Sequence, residues 1–216
     1  MTDFAELRRL MVERQIAGRG IRDAALLDAL NSVPREEFVA AGDRVQAYGD
    51  HPLPIGYGQT ISQPYIVALM IAAAGIGAGD CVLEVGAGSG YAAAVMSRLA
   101  AQVIAVERKP ELAAAARDRL ARLGFSTVRI VEGDGSRGWP EEAPFNAILA
   151  AASGSHVPEP LIEQLASGGR LVMPVGGQLW AQTLMKITKQ ADGQTKRENL
   201  GKVRFVPLIG EEAWRG

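Results

Sequence analysis

The stretch VLEVGAGSGY, Val82 to Tyr91, decides the fold. A short apolar run stops on three glycines, and a helical segment, Ser89 to Leu99, follows at once. Strand, glycine turn and helix in that order open a doubly wound α/β sheet, whose first loop approaches the ligand at the topological switch point. Gly86, Gly88 and Gly90 remove side chains, so the backbone turns tightly and a cofactor can lie against it. Their spacing is G-x-G-x-G, with Glu84 two residues ahead. The dinucleotide fingerprint G-x-G-x-x-G would want a third glycine where Tyr91 stands. A pyrophosphate needs an uncluttered helix N-terminus, and Tyr91 weighs against one.

Downstream, the same alternation repeats. QVIAVE reads as a strand, and PELAAAARDRLARLG as a helix opened by Pro110 and closed by Gly124. TVRIVEG and FNAILAAA are strands, PEPLIEQLA a helix and GRLVMPV a fifth strand. Fully apolar strands alternating with helices predict a mostly parallel sheet covered on both faces. QTLMKITK and KVRFVPL, separated by a turn at ADG, predict an antiparallel β-hairpin added to one edge. Upstream, DFAELRRLMVERQIAG puts Phe4, Leu7, Met11 and Ile16 on one stripe, and RDAALLDALNSV follows with Asp23 as N-cap. The segment from Arg44 to Gln59 has glycines, prolines and no period, and is expected to be loop. The fold class is therefore α/β, a Rossmann-like doubly wound sheet with a C-terminal antiparallel hairpin and an N-terminal helical cap. One domain is expected over 1–216: cap and loop over 1–60, cofactor-binding core over 61–176, hairpin over 177–216.

Acids at the ends of successive strands narrow the ligand. Glu84 before the glycines suits a cationic or hydroxyl-bearing ligand better than a phosphate. Glu107 ends the second strand, where a carboxylate can accept both hydroxyls of a ribose, with Arg108 beside it. Asp134, after the third strand in VEGDGSRG, stands to accept from an adenine amino group, with Gly133 and Gly135 shaping the turn. Each has a plainer reading: a strand end, a helix N-terminal acid, a turn residue. Together they point to S-adenosylmethionine, which offers an ammonium, a ribose diol and no phosphate.

Composition bounds the rest. The chain has 216 residues, 48% hydrophobic and 22% charged, and a formal net charge of −1. That length buries a core without staples, and the charge balance favours neither nucleic acid nor a membrane surface. The basic run from Lys186 to Arg204 contains Asp192 and Glu198 and reads as a solvated hairpin. The single cysteine, Cys81, excludes an internal disulfide and suits a reducing compartment. Within CVLEV it reads as a buried strand thiol. The N-terminal stretch lacks the apolar core of a signal peptide, and Ile66 to Ala78 is too short to span a bilayer. A cytoplasmic monomer with no metal, no nucleic acid and no membrane contact is the expectation.

VPREEFV (Val33 to Val39), PLPIGYGQTISQPYIVALM (Pro52 to Met70), VLEVGAGSGY, VEGDG, EQLASGGRLVMPVG (Glu163 to Gly176) and VRFVPL (Val203 to Leu208) follow one another as in a known family. In order and spacing the chain resembles the bacterial protein-L-isoaspartate O-methyltransferases from about Val33 to Leu208. The glycine loop is general to methyltransferases; QTISQP and RFVPL are specific to this family. The resemblance implies S-adenosylmethionine-dependent methylation of the α-carboxylate of L-isoaspartyl residues in damaged proteins and peptides. It also implies an acceptor-positioning, non-nucleophilic role for Ser62. Thr60, Ile61 and Gln63 flank the cofactor on that view, beside Glu84, Gly86, Gly88, Ser89, Gly90, Glu107, Arg108, Asp134 and Gly135.

The residues alone favour Ser62 as a helix N-cap, because it precedes QPYIVALM with Pro64 in the first turn; with the resemblance, cap and acceptor roles stand together. A covalent serine would need an adjacent base; His51 and His156 are the only histidines, and no G-x-S-x-G elbow exists. Asp50 matches a recurrent family acid and is expected to hold its loop. Tyr48 and Tyr57 read as packing or peptide-groove residues, and Trp139, Trp180 and Trp214 as core or surface. The chain departs from the family twice: Asn146 stands where an aspartate is usual, and Ala151 near a usual threonine. Both are expected at the carboxyl end of the fourth strand, near the meeting point of acceptor and methyl. Competing readings are a methyltransferase for another carboxyl or small-molecule acceptor, an inactive S-adenosylmethionine-binding homologue, and a nicotinamide oxidoreductase.

Overall fold

A computed structural model of the chain describes residues 2–177 and 181–215. Trp180, expected in the core or at the surface, lies outside the described residues. Five parallel strands form the body of the sheet: β3 (Cys81–Val85), β4 (Gln102–Glu107), β5 (Val128–Glu132), β6 (Phe145–Ala150) and β7 (Leu165–Val175). β8 (Gln182–Lys189) and β9 (Thr195–Val203) join antiparallel beyond β7, giving the order β5-β4-β3-β6-β7-β8-β9. The chain runs from β3 outward through β4 to β5, then returns to pair β6 on the other side of β3. That reversal leaves a crevice above the carboxyl ends of β3 and β6.

Side chains of these strands alternate between two cores. Val82, Val103, Ala105, Ala147 and Val172 join one cluster; Leu83, Val85, Ile104, Val106, Ile148 and Leu171 join the other. Both faces are dry, so the strands read as continuous apolar runs. α3 (Pro64–Ala74), α4 (Tyr91–Met96) and α5 (Pro110–Arg122) contribute to the first core, with α1 (Phe4–Leu10) and α2 (Ala24–Ser32) outside them. Asp23 caps α2 as expected, accepting from the Leu26 N–H at 3.1 Å. α6 (Glu159–Glu163) covers the second core through Leu161.

Several boundaries differ from the sequence reading. The segment expected to be loop from Arg44 to Gln59 contains tight helical turns over Ala41–Tyr48 and a two-stranded hairpin, β1 (Leu53–Gly56) with β2 (Gln59–Ile61). Its turn places both Tyr57 (φ +53°) and Gly58 (φ +71°) in the left-handed region, the geometry of a two-residue hairpin turn. Tyr57 is an uncommon residue there, which hid the turn from composition. The helix expected from Ser89 begins at Tyr91, because Gly90 at φ +85° ends the loop as N-cap. β9 is TKRENLGKV rather than KVRFVPL: it pairs only with β8, and its polar, charged, largely exposed residues suit an outer edge. Phe205 to Leu208 leave the sheet and cross back over it, where Pro207 bridges Ser153. The Gln182 side chain holds that departure, accepting from the Phe205 N–H at 2.8 Å.

Candidate active site

A cavity of about 400 Å³ occupies the switch-point crevice. The glycine loop forms its floor. Gly86, Gly88 and Gly90 all have positive φ, +88°, +53° and +85°, so each requires glycine for conformation alone. The Gly86 and Ala87 N–H groups donate to the Val106 carbonyl at 2.9 and 3.1 Å, folding the loop onto the end of β4. A Cβ on Gly88 would lie 3.1 Å from Ile55 Cδ1, so this position also lets the β1–β2 hairpin close down on the loop. Gly90 serves packing instead: a Cβ there would press Leu120 at 3.1 Å, and Gly90 does not line the cavity.

Two carboxylates sit at one side. Glu107 is 7% exposed; its Oε2 accepts from the Gly88 N–H at 2.8 Å and its Oε1 from the Lys109 N–H at 2.9 Å. These bonds aim the carboxylate along the loop, and each oxygen keeps a lone pair for a ligand hydroxyl. Glu84 is 2% exposed and its Oε2 has no hydrogen-bond partner. Burial, and then the neighbouring Glu107 charge, push its pKa well above the usual carboxylate range, while the Ala93 amide pulls the other way. A buried acid left unpartnered in a cavity wall is matched by a ligand cation. The glycine cradle, the paired acids and the apolar lining from Val85, Val106 and Leu149 fit an adenosyl ligand bearing an ammonium and a ribose diol. Among the described residues, no group of three or more His, Cys, Asp or Glu could hold a metal ion.

The hairpin and the C-terminal tail supply the remaining walls. Gly58, Gln59, Thr60, Ile61 and Ser62 line the cavity, as do Ser89, Arg108 and Gly135. Ser62 is not the helix cap: the N-cap of α3 is Gln63, with no side-chain cap bond and Pro64 at N1. Ser62 stands one residue before the cap, between the end of β2 and α3, and lines the cavity. Gln63, expected to flank the cofactor, takes the cap position and lies off the cavity lining.

Asp134 is likewise off the lining. Its Oδ1 accepts from the Ser136 N–H and hydroxyl at 2.9 and 2.7 Å, and its Oδ2 from the Glu211 N–H at 2.8 Å. Burial raises its pKa, but these donors outweigh burial and hold it below the ordinary aspartate value. Through these bonds the carboxylate holds the C-terminal tail in place. That tail carries Phe205 to Ile209 along the cavity, a wall whose sequence signal was the RFVPL motif. Tyr91 lines the cavity too, although sequence reading weighed it only as an obstacle to pyrophosphate.

The two family departures separate. Ala151, just past β6, lines the cavity. Asn146 does not: it is the second residue of β6, at the strand's amino end, and its Oδ1 accepts from the Cys81 N–H at 2.9 Å. The expectation that it borders the acceptor is corrected by counting along the strand, since four residues at about 3.3 Å each separate it from the carboxyl end. Cys81 begins β3 half-buried, and desolvation raises its thiol pKa.

The other singled-out residues support the frame. Asp50 pairs with Arg19 at 3.0 Å, and Arg19 stacks on the Tyr65 ring 3.3 Å from its centre, tying the hairpin's entry to α3. Tyr48 is buried and hydrogen-bonded to Glu36 and Arg8. Tyr57 is 56% exposed at the hairpin tip. Trp139 joins the edge of the second core, and Trp214 donates to the Ser153 carbonyl at 3.1 Å.

Comparison with known proteins agrees with this geometry. Residues 6–213 match the family model Protein-L-isoaspartate(D-aspartate) O-methyltransferase (PCMT). A Pelobacter propionicus relative, Protein-L-isoaspartate O-methyltransferase 2, is 54% identical over 96% of this chain and 92% of its own. A Methylorubrum extorquens relative, Protein-L-isoaspartate O-methyltransferase, is 57% identical over 96% and 90%. A solved protein-L-isoaspartate O-methyltransferase superposes with TM-score 0.85 at 29% identity, covering 98% of this chain and 67% of that one. A Plasmodium falciparum structure, assigned as a candidate member and solved with S-adenosyl-L-homocysteine, gives TM-score 0.81 at 27% identity, covering 94% and 98%.

Proposed function

The chain belongs to the protein-L-isoaspartate(D-aspartate) O-methyltransferase family, and on that premise we propose how its cavity acts. It catalyses S-adenosylmethionine-dependent methylation of the free α-carboxylate of L-isoaspartyl residues in damaged proteins and peptides. The observation that carries this reading is one cavity with unlike walls. Its lining combines a buried acid pair and a glycine cradle with the segment that bears Ser62 and with the Phe205–Ile209 tail.

S-adenosylmethionine supplies an electrophilic methyl on a cationic sulfur. Glu107, already aimed by the Gly88 and Lys109 amides, accepts the ribose hydroxyls. Glu84 faces the ammonium, and the bare backbone at Gly86, Gly88 and Gly135 permits close approach. The acceptor carboxylate is ionised at neutral pH, so no strong general base is needed. Ser62 donates a hydrogen bond that orients it, while the hairpin and the tail wall exclude water and hold donor and acceptor in line. The ester product is a better electrophile: the next backbone nitrogen attacks its carbonyl and expels methanol, and water then opens the succinimide, in part to aspartate, without further catalysis.

Labelled S-adenosylmethionine with an isoaspartyl peptide and its aspartyl twin tests this. Base-labile label on the first alone is expected; label on neither refutes the assignment. One observation favours a second reading: Ala151 lines the cavity where the family usually has a nearby threonine, which would suit another carboxyl acceptor. Label on the twin as well would support it. The reading includes a monomer in the cytoplasm, with light scattering as the check on the first. Among the described residues, no helix is long and apolar enough to cross a membrane.

A further inference from the structure

Arg35, in the turn after α2, is 0% exposed, the largest fully buried side chain. Its Nε donates to the Ala47 carbonyl at 2.6 Å and its Nη2 to the Ser62 carbonyl at 2.7 Å. The guanidinium lies over the Tyr91 ring, 4.6 Å from its centre, while Nη1 has no partner. No carboxylate pairs with it among the described residues. The adjacent acid, Glu36, is committed to Arg8 at 3.1 Å and to the Tyr48 hydroxyl.

Burying a cation against neutral carbonyls and a ring costs several kcal/mol that a carboxylate partner would offset. Burial lowers the Arg35 pKa, yet a guanidinium keeps its charge in proteins. Both groups it grips from behind, Ser62 and Tyr91, line the cavity. The Ser62 carbonyl is the point where the hairpin passes into α3, with no side-chain cap to hold it. A planar fork reaching two carbonyls suits that task as a lysine does not.

We propose that Arg35 is a positioning residue for the methyl acceptor. It pins the backbone at Ser62 against Tyr91 and the Ala47 turn, sets the direction of the Ser62 hydroxyl, and places an uncompensated positive charge behind the wall that receives the carboxylate. Glu84 and Glu107 attract the cationic donor from the cofactor side; Arg35 favours the anionic acceptor from behind Ser62. The inference rests on the proposed isoaspartyl methylation for the acceptor's charge.

The test compares Arg35→Gln and Arg35→Lys with wild type in three measurements: peptide KM against kcat, calorimetric Kd for S-adenosylhomocysteine, and amide exchange over residues 53–63. Arg35→Gln should raise the peptide KM about tenfold or more and speed exchange at Ile61–Gln63 by a similar factor, roughly one lost hydrogen bond to a charged group. Cofactor-product affinity should stay within about threefold, and Arg35→Lys, which keeps the charge, should recover part of the KM. Unchanged KM and exchange would overturn the proposal. Parallel losses of peptide and S-adenosylhomocysteine affinity would overturn it too, by making Arg35 a brace for the whole cavity. If Arg35→Gln does not fold, Arg35→Lys still decides, because altered exchange over 53–63 is expected and unaltered exchange refutes pinning. Absence of wild-type turnover would count against the proposed function, and the exchange arm would then judge the pinning by itself.

Discussion

Glu84→Gln should flatten the dependence of stability on pH and weaken cofactor-product binding. In the cofactor-free protein Glu84 is buried with one oxygen unpartnered, so its pKa lies well above the ordinary value of 4.5. A raised pKa means that the folded state holds the proton more tightly than the unfolded one. The corresponding stability is fully present below about pH 4.5 and is lost as pH rises through the folded pKa, at up to about 1.4 kcal/mol per pH unit. A glutamine is neutral throughout and has no such loss. Its buried amide hydrogens bring a cost of about 1–3 kcal/mol that does not vary with pH, so the slope is the diagnostic quantity. Urea unfolding from about pH 4 to about pH 8 should therefore give a flatter stability profile for the variant. Calorimetry should show S-adenosylhomocysteine binding weakened roughly 10- to 150-fold, the equivalent of one hydrogen bond between charged groups at about 1.5–3 kcal/mol. Superimposable pH profiles would refute the neutral-acid assignment, and unchanged affinity would remove Glu84 from the cofactor's surroundings.

Four further variants follow from the site. Ser62→Ala should lower kcat on an isoaspartyl peptide about tenfold or more and leave S-adenosylhomocysteine affinity within about twofold; unchanged turnover in steady-state assays would deny Ser62 its acceptor role. Glu107→Ala should weaken S-adenosylhomocysteine binding at least about tenfold by calorimetry, and it also strands the Gly88 and Lys109 amides, costing about 1–3 kcal/mol each in chemical denaturation. Asn146→Asp should leave turnover within about twofold, because Oδ1 still accepts from Cys81 at the far end of β6, whereas Ala151→Thr should shift the peptide KM.

Legibility in the sequence varied with the range of the interaction. Strands β4 and β5 and helix α5 were readable because apolar runs and Pro110 and Gly124 act within a few residues. The β1–β2 hairpin was not, since its turn uses Tyr57 at positive φ, a conformation the hairpin as a whole enforces. Edge strand β9 was shifted for a similar reason: its partner β8, rather than its own polar residues, makes it a strand. In the site, Glu84, Glu107 and the glycines were visible as a motif. Asp134, Gln63, Asn146 and Arg35 required knowledge of which end of an element, and which neighbour, each one meets.

What the sequence by itself determined, then, is whatever a local pattern can carry: the parallel α/β order, the glycine loop with its acids, and the family. Only the tertiary structure decided that Ser62 lies in the cavity wall instead of capping α3. It also decided that Asp134 holds the tail whose Phe205–Ile209 stretch lines the cavity, and that Asn146 stands a strand's length from the carboxyl end of β6. The physical reason is that a side chain's role depends on its partners. Those partners come from residues 27 to 77 positions away, Arg35 to Ser62 and Asp134 to Glu211, brought together only when the chain folds.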